Sequence, residues 1–348
     1  MKYLYSLLIL LLIGCSESEN KEKDVKTLEN KPLKALIIDG ENNHGIWPKT
    51  SIMMKSYLEE IGFKVEIKRK KYLWIGPHHD VPKEKGAESL LTDFPISSSS
   101  THIAVEEPKV DSTYIIDFSS YDLIVSNFGW KSTALPPQTQ QSLESFISNG
   151  GGLIVVHAAN NAWREWKEYN EMIALGGWGN RNEKDGPYLY YNEEGEVIRN
   201  SEAGSCGSHG PQMEFLIETR APEHPIMKGI PAQWLHAKDE LYDRLRGPAK
   251  NVTILATAYS DPIENGPPWN KEVKGSGRHE PILMAIDYGK GRVFHTTLGH
   301  MDYSMECVGF ITTFKRGAEW AATGQVTQSI PEDFPTKEKT SSRSWKMK

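Results

Sequence analysis

The chain has 348 residues, and 46 acidic against 40 basic side chains give it a net charge of −6 at pH 7. This balance is mildly acidic, and the sequence has no basic stripe of the kind that nucleic acid requires, so no nucleic-acid partner is expected. The length suits one large α/β domain or two small ones.

Residues 1–14 predict a signal peptide, because a basic start precedes the unbroken apolar run Leu7–Ile13, which is too short to span a membrane. The Gly14–Cys15 pair resembles the bacterial lipobox, which predicts cleavage before Cys15 and acylation of its sulfur. The alternative is an ordinary signal with a chance cysteine. Residues 15–32 are mostly polar and predict a solvated tether. We therefore expect a membrane-anchored lipoprotein of the bacterial cell envelope, and the acidic tether favours the outer membrane.

Strands and helices then alternate along the chain. Apolar or alternating runs predict strands at 34–40, 64–68, 121–126, 153–156, 213–219, 252–256, 281–287 and 292–297. Helical spacing predicts helices over about 48–61, 136–149, 163–175 and 305–322. This alternation argues for one α/β domain whose mostly parallel sheet has helices on both faces. Residues 71–113 and 178–210 show no sustained period and predict two long insertions, and the polar tail 326–348 is expected to fray.

Polar and aromatic side chains follow several of the predicted strands. In open α/β sheets, ligands bind in the crevice outside the carboxyl ends of the strands. The side chains predicted to meet there are Asn43, His44, Trp130, His157, Asn160 and His300. Three histidines at equivalent positions favour a shared pocket over three separately packed imidazoles.

Two further clusters carry side chains suited to chemistry. Residues 234–242 place two carboxylates, Asp239 and Glu240, beside a histidine and the phenol of Tyr242, which suits general acid/base work. A solvated turn is the alternative. Residues 204–210 form a glycine-rich stretch with His209, which suits either a lid or a plain surface loop.

Nucleophilic catalysis is disfavoured by the residues at the turns. A nucleophile elbow needs Ser or Cys after a strand, whereas the turn after residue 156 begins with His157. Neither Cys206 nor Cys307 follows an apolar strand, and two cysteines make no disulfide framework, so we do not expect them to pair. No Walker A loop or Rossmann glycine fingerprint is present.

Several stretches, taken in order, resemble the trehalose-utilisation (ThuA-like) family over about residues 33–325. They are GENNH at 40–44, GGLIVVHAA at 151–159, EHPI at 223–226, DELY at 239–242, GKGRVFHTTLGH at 289–300 and EWAATG at 319–324. The resemblance implies a flavodoxin-like, class I glutamine amidotransferase-like fold without the amidotransferase cysteine. It also implies a role in the metabolism of trehalose or 3-keto glycosides. For some members the resemblance also implies a divalent metal, for which neutral histidines and a carboxylate are suitable ligands, although this sequence has no close-spaced ligand motif such as HExxH.

Together these observations predict a lipid-anchored enzyme that acts on a glycoside or keto-sugar as a hydrolase, lyase or isomerase. Proton transfer is assigned to His157 or Glu240 as base and to His300 or Asp239 as acid. Substrate contacts are assigned to Asn43, His44, Trp130, Asn160, His209 and Tyr242. The alternative is a non-catalytic sugar-binding lipoprotein, and the oligomeric state is left open.

Overall fold

The computed structural model describes residues 32–76, 87–96 and 101–347, which belong to one compact unit. The predicted signal peptide, Cys15 and all but the last residue of the predicted tether lie outside the described residues. Among the helices described, none has both the length and the apolar character needed to cross a bilayer.

The elements follow the predicted alternation. The strands are β1 (Lys34–Asn42), β2 (Lys64–Ile75), β3 (Ile103–Val105), β4 (Leu123–Ser126), β5 (Gly152–Val156), β6 (Tyr188–Tyr191), β7 (Val197–Asn200), β8 (Ser208–His209), β9 (Met213–Thr219), β10 (Gln233–Asp239), β11 (Tyr242–Asp243), β12 (Val252–Tyr259), β13 (His279–Tyr288) and β14 (Gly291–Thr296). The α-helices are α1 (Trp47–Glu59), α2 (Ala87–Asp93), α3 (Pro137–Ser148), α4 (Lys167–Ile173), α5 (Asp302–Met305) and α6 (Val308–Thr323). Short 3-10 helices cover His157–Asn161 and Glu183–Asp185.

The main sheet has the strand order β10-β9-β12-β13-β14-β5-β4-β1-β2-β3. Strands β14, β5, β4, β1, β2 and β3 are parallel, and β13, β12, β9 and β10 continue the sheet in antiparallel pairs. The chain moves from β1 to β2 on one side and later to β4 on the other, which makes a topological switch point where ligands bind in such sheets. The predicted flavodoxin-like α/β fold is confirmed.

The sheet is apolar on both faces because helices cover both. In β5, Leu153 and Val155 pack with α3 and α4, whereas Ile154 and Val156 pack with α1 and α6. A strand buried on both sides needs an apolar residue at every position, which explains the unbroken run. Helix α6 lies close to the sheet at Gly317, where an added Cβ would come within 2.2 Å of the Phe294 ring.

The two predicted insertions contain regular structure that the sequence did not reveal. The first contributes the end of β2 together with α2 and β3, and the second forms the β6–β7 hairpin and β8, which pairs with β11. The helix predicted over 163–175 is shorter, because residues 157–161 form a 3-10 helix and Ala174 has a φ of 62°. The helix predicted over 305–322 is divided at Cys307 into α5 and α6.

The C-terminal tail packs on the domain instead of fraying. The amide of Val308 donates to the carbonyl of Ser341, and the amide of Leu235 donates to the carbonyl of Thr336. The ring of Phe334 lies 5.4 Å from that of Trp234. Most of these contacts use the backbone, so the polar side chains of the tail did not predict them.

Candidate active site

Three histidines and one glutamate converge at the carboxyl end of the parallel strands. They are His44, His157, Glu240 and His300, which follow β1, β5, β10 and β14. Each is buried, and one nitrogen or oxygen from each lies within 4.8 Å of the others. We call these four residues the histidine cluster. The structure thus brings together the three strand-end histidines and selects Glu240 as their carboxylate.

The backbone holds His157 in a conformation that non-glycine residues rarely adopt. Its φ is 46°, in the left-handed region, which costs of order 1–3 kcal/mol unless the surroundings enforce it. Its Nδ1 donates to the carbonyl of Thr297 at 2.6 Å, so in the neutral ring Nε2 is the acceptor. The hydroxyl of Tyr242 lies 2.6 Å from that Nε2 and donates to it. The His157 tautomer is therefore set from both ends.

Glu240 is the carboxylate of the cluster. Its oxygens lie 2.8 Å from His300 Nδ1, 3.6 Å from His157 Nε2 and 3.5 Å from His209 Nδ1. Burial works to raise the pKa of this carboxyl, but the imidazoles of His157, His300 and His209 around it hold the pKa well below the ordinary value. Glu240 is therefore ionised at neutral pH.

The end of β1 places the fourth member of the cluster. The His44 ring lies 4.5 Å from that of His300 and 4.9 Å from that of His157. The His44 amide donates to Asn42 Oδ1, and the Asn42 side-chain amide donates to the carbonyls of Asn127 and Phe128 after β4. Asn42 thus ties two strand ends together beneath the cluster.

Asp239 lies under the cluster and not in it. Its two oxygens accept from the amides of Glu240, Gly299 and His300 and from His236 Nε2, all at 2.8–3.0 Å. The carboxylate is fully buried and each oxygen accepts two hydrogen bonds, an arrangement typical of a structural anchor. This geometry differs from the expectation that Asp239 donates a proton to substrate.

His236 and Cys307 complete the buried ionic group around Asp239. Burial works to lower the pKa of His236, but the nearby Cys307 sulfur and the Asp239 carboxylate outweigh it and raise the pKa to about 10. Burial likewise works to raise the pKa of the Cys307 thiol, and the charge of His236 brings it below its ordinary value. Cys206 and Cys307 are each buried as free cysteines.

The remaining predicted contact residues divide into two groups. Asn43, His209 and Tyr242 adjoin the cluster, since Asn43 Nδ2 lies 3.5 Å from His44 Nε2 and the other two side chains reach Glu240 and His157. Asn160 does not adjoin it: its amide bonds His295 Nε2 at 3.1 Å, because the 3-10 helix turns it away from the strand end.

Trp130 contacts residues beside the cluster and not the cluster itself. Its amide donates to Asn43 Oδ1, and its ring lies beneath the ammonium of Lys131 at 4.8 Å. The two predicted contacts that differ from expectation, Asn160 and Trp130, both follow strands that the sequence placed correctly.

Two aromatic residues near the site were not predicted. The Trp178 ring lies 4.6 Å from that of Tyr242, and the Trp269 ring lies 4.8 Å from that of His209. Gly176–Gly177 before Trp178 was the available signal for a close approach of the chain at this point. Residues 260–278 have no period that would have placed Trp269.

The donor set of the cluster fits a divalent transition metal. Imidazole nitrogens with one carboxylate are ligands for zinc and related ions, whose tetrahedral ligand atoms lie about 3.4 Å apart for bonds of about 2.1 Å. The distances around Glu240, 2.8–3.6 Å, are of this size. A small cavity of about 10 Å³ borders His44, His157 and His300 but not Glu240. The bond from His157 Nδ1 to a carbonyl is the orienting contact that ligating histidines use.

Comparisons with known proteins agree with the fold. The sequence profile of the ThuA family, described as trehalose utilisation, matches residues 78–321. A ThuA-like protein of Parabacteroides merdae with a crystal structure is 40% identical, covers 90% of this chain and 98% of its own, and has a TM-score of 0.73. A ThuA-like protein of Bacteroides uniformis is 16% identical, covers 85% of this chain and 93% of its own, and has a TM-score of 0.49. No curated protein sequence matches this chain.

Proposed function

Because the chain belongs to the ThuA (trehalose utilisation) family, which gives it a carbohydrate-related role, we propose that it is an enzyme acting on a glycoside or keto-sugar by general acid/base chemistry. The observation that carries the proposal is the convergence of three buried imidazoles with one ionised carboxylate in the histidine cluster. These groups come from four separate segments of the chain and meet at the edge of the sheet where ligands bind.

A purely structural role explains this cluster poorly. Burying an ionised group costs several kcal/mol unless its partners compensate, and apolar residues would fill the same space at lower cost. The left-handed backbone at His157 adds strain of a kind that collects at functional sites. Both costs are understandable where the groups are needed for chemistry.

A 3-keto glycoside is the substrate that this set of groups suits best. The carbonyl at C3 acidifies the hydrogen on C2, and the ionised Glu240 or Nε2 of His157 takes that proton as base. The resulting enolate re-forms the carbonyl as the bond between C1 and the glycosidic oxygen breaks. His300, 2.8 Å from Glu240, delivers a proton to the leaving oxygen. Addition of water to the product alkene would complete a hydrolysis. Release of the alkene without addition of water would complete a lyase reaction.

A divalent ion would be held by the four residues of the histidine cluster and would supply polarisation of the sugar carbonyl. Thr297 keeps the orientation of His157 in either case, because its carbonyl accepts from Nδ1, and Asn42 sets the orientation of the segment carrying His44. Tyr242 donates to His157 Nε2 only when that nitrogen holds no ion.

The decisive experiment incubates the purified protein with a panel of glycosides and their 3-keto derivatives and measures product masses. Glutamine in place of His157 or His300 is expected to lower kcat by at least a hundredfold, since each proton transfer contributes about 10²–10⁴. His224→Gln is the matched control, because this histidine packs on Trp320 away from the cluster. Full activity in both cluster variants would remove the mechanism. Binding by calorimetry without any product would favour a sugar-binding lipoprotein instead.

We also propose that the protein is anchored in the outer membrane by a lipid on Cys15, on the basis of the Gly14–Cys15 pair after the apolar run. In cell fractionation, Cys15→Ser is expected to move the protein from the membrane to the soluble envelope fraction. An unchanged membrane fraction would exclude this anchor.

A further inference from the structure

Trp269 is a large aromatic side chain left 66% exposed beside the site. An isolated exposed tryptophan would be unremarkable by itself. This one contacts His209, with ring centroids 4.8 Å apart, and His209 in turn lies 3.5 Å from Glu240. A single side chain therefore separates the exposed indole from the histidine cluster.

The aromatic surface is continuous from the buried cluster to the exterior. Tyr242, which is 1% exposed, donates to His157 and packs against Trp178, whose ring also lies 5.9 Å from that of His209. Trp269 continues this surface outward from His209. We call Trp178, His209, Tyr242 and Trp269 the aromatic wall.

The loop that carries Trp269 is tied to the elements that form the site. Asn265 accepts from the amide of Gly210, next to His209, and donates to the carbonyl of Leu241, next to Tyr242. Gly210 permits this contact, because a Cβ there would lie 2.6 Å from Asn265. These bonds fix the loop at Asn265, four residues before Trp269, against the segments that carry His209 and Tyr242, and such anchoring lowers the cost of ordering a binding surface.

We propose that Trp269, at the outer end of the aromatic wall, stacks on the second sugar ring of a two-ring glycoside whose first ring lies at the histidine cluster. The proposal rests on the proposed function and adds its substrate class, a disaccharide-type glycoside over a small one-ring glycoside. Aromatic side chains with a few polar groups are the usual lining of ligand sites. A sugar face that covers roughly 60 Å² of the indole is worth about tenfold in affinity at ~25 cal/mol per Å².

The test compares Trp269→Ala with the native protein on two substrates, a 3-keto disaccharide and the 3-keto methyl glycoside of its first ring. In Trp269→Ala, KM for the disaccharide is expected to rise about tenfold relative to KM for the methyl glycoside. The kcat for each substrate is expected to stay within twofold of the native value. Trp269→Phe is expected to restore most of the ratio, because a flat ring remains. Ile263→Ala is the matched control, since this side chain is 83% exposed on the same loop.

The outcomes separate this inference from the proposed function. An unchanged KM ratio, or an equal loss with both substrates, would overturn the subsite while leaving the enzyme assignment intact. If the native protein turns over neither substrate, calorimetric Kd values for the same two compounds decide the subsite. A tenfold loss of affinity in Trp269→Ala for the disaccharide alone supports it. An unchanged affinity, or no affinity in the native protein, overturns it. A changed oligomeric state in Trp269→Ala without a change in the ratio would mark Trp269 as a contact between copies and would also overturn it.

Discussion

The substitution Asp239→Asn tests whether the carboxylate beneath the cluster is a structural anchor. Its Oδ1 accepts from the amides of Glu240 and His300, and its Oδ2 accepts from the amide of Gly299 and from His236 Nε2. An asparagine keeps one oxygen and replaces the other with an NH₂ donor. In either orientation, at least one buried backbone N–H then faces another donor.

The cost follows from those four hydrogen bonds. The better orientation turns the NH₂ toward His236 and Gly299, because a neutral His236 can accept from it while the Gly299 amide loses its acceptor. One buried unsatisfied N–H costs about 1–3 kcal/mol, and the buried ion pair with His236 is lost as well. We expect about 3–4 kcal/mol of destabilisation in total, which corresponds to a Tm lower by roughly 4–6 °C in a domain of this size.

Urea unfolding at pH 7, followed by far-UV circular dichroism, measures this free energy. Asp287→Asn is the matched control, because Asp287 is exposed on β13, and its effect is expected to stay within about 0.5 kcal/mol. A loss below 1 kcal/mol in Asp239→Asn would refute the anchor and restore Asp239 as a candidate acid. Movement of the His300 backbone should also lower kcat in the folded variant.

Three further predictions concern pH, metal and packing. Burial and the nearby Asp243 raise the pKa of Glu280 to about 7 in the folded protein. The folded protein therefore has its full stability below pH 4.5, where Glu280 is protonated in both states, and loses stability as pH rises through 7. Glu280→Gln should therefore stabilise the protein by about 1–3 kcal/mol at pH 8 and by much less at pH 5, as urea titrations at the two pH values would show; equal effects would contradict this. Zinc or manganese at a hundred times its Kd should stabilise the native protein by about 2.7 kcal/mol in thermal melts. The Glu240→Gln variant should not be stabilised, and equal shifts in the two proteins would place the metal elsewhere. Gly129→Ala places a Cβ 2.5 Å from Asn42 Oδ1 and should cost about 1–3 kcal/mol and lower kcat; native stability and kcat would show that Asn42 does not position His44.

The central strands could be predicted because local pattern and tertiary role coincide there. A strand covered on both faces must be apolar at every position, so 153–156 was recognisable by itself. The positions after β1, β5 and β14 then indicated where the three histidines meet. The β6–β7 hairpin was missed because its strands lie in a polar segment and pair mainly with each other.

The tertiary structure decided which of two adjacent carboxylates reaches the site. Asp239 and Glu240 are adjacent in sequence, but side chains alternate along an extended chain, so one meets the backbone of Gly299 and His300 while the other enters the cluster. The composition of 234–242 is compatible with either arrangement. The same holds for Asn160, which a turn of 3-10 helix directs to His295.

The amino-acid sequence determined the class of fold, the apolar strands and the edge of the sheet where histidines collect, because these depend on periodicity and burial within short segments. The tertiary structure alone decided the partners: His157 bonds Thr297 140 positions away, and Trp269 meets His209. Such contacts join segments whose local patterns carry no information about each other, so they arise only when the sheet and its loops are packed together.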